Sequence, residues 1–206
     1  RMLKSDQAAH GIDGRIPWIF AGTKVGMIST LFGRKRITEE KLANVFVNSV
    51  LEMCAEGFPL VVAELNESPE FERSPGMSEE DDARFLLIVL TANLMEMQRH
   101  IGPGTDKRLH ALAISKFAQA TGQGCTEVED AVRALRDRMQ RLNAPSKNWV
   151  YAMGKALFLE YDLYGFQDEY FRGTRSPNPI VLKRLNSLFS YFLFGWAEVQ
   201  DQYRIG

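Results

Sequence analysis

From Phe85 to Met95 the chain reads Phe-Leu-Leu-Ile-Val-Leu-Thr-Ala-Asn-Leu-Met, a stretch without a single charge. At the helical period it is apolar on every side, and such a helix is stable in water only when neighbours cover it all round. The fold must therefore provide several more helices.

The remaining sequence offers them. Thr38 precedes Glu39 and Glu40 and an apolar stripe of Leu42, Val45, Phe46, Val50 and Met53, which predicts a helix that Gly57 ends. Pro59 opens a short helix from Leu60 to Asn66, because the first helical position needs no N–H donor. Ser78, with Glu79, Glu80, Asp81 and Asp82 in the first turn, caps the apolar helix, which runs to about Ile101 and stops at Gly102-Pro103-Gly104. Thr105 caps a helix buried through Leu109, Leu112, Ala113, Phe117 and Ala120. Thr126 and Glu129 form a capping box before the seam of Val128, Val132, Leu135, Met139 and Leu142. Ser146 starts a helix that closes near Gly165, and Asn178-Pro179 caps a last helix carrying Leu182, Leu185, Phe189, Phe192, Trp196 and Val199.

These segments predict an all-α fold, a single globular orthogonal bundle of about seven helices, with a strand signal only around Val61. Two regions are expected: residues 1–36 as an irregular arm containing five glycines, and residues 37–206 as the helical domain.

Charge divides the chain further. Residues 1–36 carry a net charge of +5, residues 37–82 one of −10, and the remainder +4. A basic arm beside an acidic stretch predicts mutual attraction, within one chain or between two. The arm also holds Ile16-Pro-Trp-Ile-Phe20, whose apolar side chains need cover. Trp18, Phe20, Arg34, Lys35 and Arg36 are therefore the expected partner-binding residues, for a second copy, another protein or an anionic membrane surface.

Few residues suggest chemistry. Glu96 and His100 share one helix face and His110 lies early in the next helix, a weak metal-ligand set that lacks any Glu-x-x-His pair. Tyr170, Arg172 and Arg175 combine an aromatic ring with two guanidinium groups in an expected loop and form a possible ligand-binding set. Cys125 lies at a helix start without an identifiable base, Cys54 falls on a buried stripe, and Gly102–Arg108 lacks the P-loop pattern.

Two cysteines cannot staple a secreted scaffold, so a reducing cytoplasm is the expected compartment. The longest uncharged runs, 85–95 and 185–197, fall short of the roughly 20 residues that span a bilayer, and no transmembrane helix is expected. A pI of about 6.4 argues against general nucleic-acid binding. The sequence reading is thus a non-enzymatic, cytoplasmic interaction or scaffolding domain without cofactor, self-associating through its arm. The alternatives are a helical small-molecule or metal-binding protein, with or without enzymatic activity, with its site near Glu96, His100 and His110, and a membrane-surface adaptor.

Overall fold

The computed structural model describes residues 34–206. Thr38 begins helix α1 (Glu39–Asn66) as expected, its hydroxyl oxygen accepting from the Lys41 N–H at 3.2 Å. The helix does not stop at Gly57. It runs unbroken through Gly57 and Pro59, absorbing both the expected second helix and the strand signal at Val61. A Cβ on Gly57 would lie 2.5 Å from Cζ of Phe192, so this glycine marks a close approach of the C-terminal region instead of a helix end. Pro59 removes one helical hydrogen bond, a cost of about 3 kcal/mol. Phe46, Val50, Cys54, Phe58, Val61 and Leu65 stay buried on both sides of it, each worth about 1.5–3 kcal/mol, and that stripe outweighs the loss.

Among the described residues α1 is the one helix long and apolar enough, by length and composition, to cross a membrane; half of that stretch is buried inside the bundle. The expectation of no such helix rested on the length of the uncharged runs, whereas α1 reaches this hydropathy with charges inside it.

Helix α2 (Ala83–His100) touches four other helices: α1, α3 (Thr105–Thr121), α4 (Cys125–Asn143) and α5 (Trp149–Glu160), and the C-terminal helix α8 (Trp196–Gln202) as well. Every residue from Ile88 to Met95 is buried, as an all-round apolar helix requires. Its start differs from expectation. Ser78 to Asp82 form a turn, in which the N–H groups of Glu80 and Asp81 donate to Ser78, and the helix begins at Ala83. The free Phe85 N–H at the helix start is taken by the Tyr161 hydroxyl at 3.1 Å.

Three more caps shift by one or two residues. Gly104, Gly124 and Asn148 precede α3, α4 and α5, in place of Thr105, Thr126 and Ser146. Glu127, not Glu129, closes back on the Gly124 N–H at 3.2 Å. Ala120 is exposed, and Ile114 and Ala118 complete the buried face of α3. In the α4 seam Val128, Val132, Leu135 and Met139 are buried as read, and Leu142 is half-buried.

The expected loop around Tyr170 contains a short helix, α6 (Glu169–Thr174), capped by the Asp168 carboxylate. Asn178 caps α7 (Pro179–Phe189), accepting from the Ile180 N–H at 2.8 Å. The single last helix is instead broken: α7 gives way to a 3₁₀ turn at Ser190–Phe192, and α8 starts at Trp196. Asn93 on α2 holds the break. Its amide donates to the Val89 and Phe192 carbonyls at 2.9 and 2.8 Å, its oxygen accepts from the Phe194 N–H at 2.7 Å, and the Trp196 indole donates to its carbonyl at 3.0 Å. Phe192 then packs against Phe85 and Phe189, while Phe194 and Trp196 pack against Phe46.

A two-stranded parallel sheet joins the ends of the described chain. Strand β1 (Lys35–Ile37) pairs with β2 (Tyr203–Ile205), Lys35 opposite Tyr203 and Ile37 opposite Ile205. Three-residue strands carry too little alternation to be read from sequence. The architecture is all-α, with eight α-helices among the described residues.

Candidate functional site

Side chains nominated from sequence are largely committed to one another. Glu96 meets His100 at 3.1 Å and Arg99 at 2.9 Å, and the Arg99 guanidinium lies 5.1 Å from the centre of the Trp149 ring. His110 points elsewhere, to Glu129 on α4 at 2.9 Å. The three metal-ligand candidates are not assembled, and no group of three or more His, Cys, Asp or Glu that could hold a metal occurs among the described residues. Cys125 is exposed at the start of α4, whereas burial pushes the Cys54 thiol well above its ordinary range. In the Gly102–Arg108 segment the Gly104 N–H donates to Asp106 at 2.7 Å and Arg108 grips Glu39 with two nitrogens at 2.6–3.0 Å.

The acidic stretch likewise finds partners on later helices. Glu39 pairs with Arg108, Glu40 with Lys116, Glu72 with Arg172, and both Glu64 and Glu70 with Arg184. Hydrogen bonding from Arg108 holds the Glu39 carboxyl below the usual carboxylate range. For Glu70, burial acts upward, but hydrogen bonds from Ser68 and Arg184 outweigh it and the net shift is down. Arg34, Lys35 and Arg36 are exposed, while Trp18 and Phe20 lie outside the described residues.

Three cations without an acidic partner among the described residues, Lys155, Arg175 and Lys183, meet at a cleft of about 410 Å³ between α5 and α7. Tyr151 and Lys155 lie one turn apart on α5; Leu182, Lys183 and Asn186 lie within one turn of each other on α7. Gly154 lets the two helices close on each other: a Cβ there would lie 2.6 Å from Leu182 Cδ1 and 3.2 Å from Asn186 Oδ1. The 3₁₀ turn at Leu163–Phe166 adds Tyr164, and the segment after α6 adds Arg175, Ser176 and Pro177. Buried Gln167 steadies that segment, donating to the Ser176 carbonyl at 2.9 Å and accepting from the Asn178 N–H.

Among the described residues, three cations line the cleft and no carboxylate does. Lys155 donates to the Leu142 carbonyl at 2.7 Å, one of its three protons, and lies 4.6 Å from the Tyr151 ring centre. Arg175 lies 5.8 Å from the Tyr164 ring centre. Burial raises the Tyr164 phenol above its ordinary pKa, more than the Arg175 charge lowers it, so the hydroxyl stays neutral and able to donate. Arg175 also adopts a left-handed backbone, φ 48° and ψ 41°, a conformation that costs a side-chain-bearing residue about 1–2 kcal/mol and usually falls to glycine. Asn186 Oδ1 is buried without a hydrogen-bond donor.

Of the ligand set expected from sequence, only Arg175 faces this cleft. Tyr170 is 72% exposed against Phe171, and Arg172 is tied to Glu72 at 3.1 Å. Sequence reasoning missed Lys155, Lys183 and Asn186, which sit in amphipathic helices as ordinary polar positions. Compared with known proteins, the chain matches no protein-family model, no curated protein and no solved structure.

Proposed function

We propose that the protein binds a small organic anion in the cleft between α5 and α7. One observation carries this reading: Lys155, Arg175 and Lys183 line a concave, partly apolar space with no acid among its described lining residues, while Arg108 and Arg184 are paired with carboxylates of the acidic stretch. Ligand sites between helices combine apolar walls with a few convergent polar groups in this way. The class is the helical small-molecule-binding alternative of the sequence reading, at a different site. Calorimetric titration with citrate, inorganic phosphate and nucleoside monophosphates at low ionic strength should give saturable binding that weakens with salt and is lost in an R175E/K183E double variant. Equal binding by the double variant, or no saturable binding of any of them, would overturn the reading.

Protein interaction through the amino-terminal segment is a second proposal. It is favoured by Arg34, Lys35 and Arg36, which are exposed and form no ion pair with a described carboxylate. Self-association should appear as a mass above 23.4 kDa in light scattering that falls at high salt. A monomer at both salt concentrations counts against it.

A further inference from the structure

Resting on the anion-binding reading, we infer that the cleft takes a phosphomonoester carried on a flat ring that has an N–H or O–H donor, the chemistry of a nucleoside monophosphate. Charge is the first ground. A monocarboxylate would neutralise one of the three cations, whereas a phosphomonoester brings a charge of about −1.5 to −2 at neutral pH and three acceptor oxygens. The available donors suit it: the Arg175 fork, the Lys183 ammonium, and the two Lys155 protons not used on Leu142.

Backbone geometry points the same way. Arg175, like Asp162, is held in a left-handed conformation that glycine would adopt without strain, so the turn itself does not call for an arginine. The second ground is the orphan acceptor. Asn186 Oδ1 has no donor among the described residues, and a buried acceptor left unpaired costs about 1–3 kcal/mol. A phosphate offers it nothing; turned from Gly154 toward the cleft, the amide oxygen would accept from a ring N–H or a ligand hydroxyl. The walls beside it, Leu142, Pro177, Pro179 and Leu182, are apolar and suit the face of a ring, and the volume of about 410 Å³ falls within the range of small-molecule sites.

The test is calorimetry on the full chain with adenosine and uridine monophosphates, ribose 5-phosphate, inorganic phosphate and benzoate. At least one nucleoside monophosphate should bind ten times or more tightly than ribose 5-phosphate and than benzoate. N186A should erase the advantage over ribose 5-phosphate while leaving ribose 5-phosphate affinity within twofold. R175G should weaken every phosphate at least tenfold without lowering the melting temperature, which separates ligand contact from folding. Benzoate binding as tightly as the nucleotides overturns the phosphomonoester and leaves the anion-binding reading standing. Nucleotides no tighter than ribose 5-phosphate overturn the ring. Absence of saturable binding by every probe overturns both this inference and the reading beneath it.

Discussion

Polar groups on the two sides of α7 are handled in opposite ways. On the side facing α1, Arg184 meets Glu64 at 2.7 Å and also reaches Glu70 and Ser68, and beyond the end of α7 Asn93 satisfies both backbone groups of the broken segment. On the side facing α5, Lys183 and Arg175 have no carboxylate and Asn186 keeps a buried acceptor without a donor. Neighbouring residues of one helix thus serve two purposes. Groups matched within the chain hold the fold, and groups left unmatched in a concavity are available to something else.

Mutation can break this contrast. The largest effect is expected at Asn93. N93L leaves the Phe194 N–H and the Phe192 carbonyl buried and unpaired, and should lower unfolding stability by about 3 kcal/mol in urea titration. Next comes R184A, which strands two carboxylates at the α1–α7 contact and should cost about 1–2 kcal/mol by the same measurement. On the unmatched side the sign should reverse. R175G should leave stability unchanged or raise it by up to about 1 kcal/mol, because it relieves a left-handed residue and breaks no ion pair; a clear loss would show that Arg175 is structural.

The smallest effect tests charge matching by pH. The folded-state pKa of Glu39 lies below its unfolded value, so its contribution is present above the ordinary carboxylate range and lost as pH falls through the depressed value. E39Q should therefore melt below the parent protein at neutral pH, and the gap should narrow as pH falls below the ordinary carboxylate range in calorimetric scans. A constant gap would remove the Arg108 pairing as its cause.

Helix existence was legible because burial leaves a periodic trace: the α4 seam and the covered α2 both follow it. Helix ends were less so. Gly57 reads as a stop only until Phe192 is seen against it, and Phe192 lies far along the chain. The α7–α8 break depends on Asn93, whose sole local signal is an amide within an apolar run. Arg175 was visible as a guanidinium in a segment between helices, but its association with Lys155, Lys183 and Asn186 was not, since these positions join only when α5 and α7 close over Gly154.

What the amino-acid order determined alone was the helical class, a central covered helix and most buried stripes, because hydrophobic periodicity is a local property of each segment. The tertiary structure decided which carboxylates are matched, where α1 and the C-terminal helices end, and which cations remain together without an acid. Those depend on distances between residues remote in sequence, and Coulomb and hydrogen-bond energies are set by such distances.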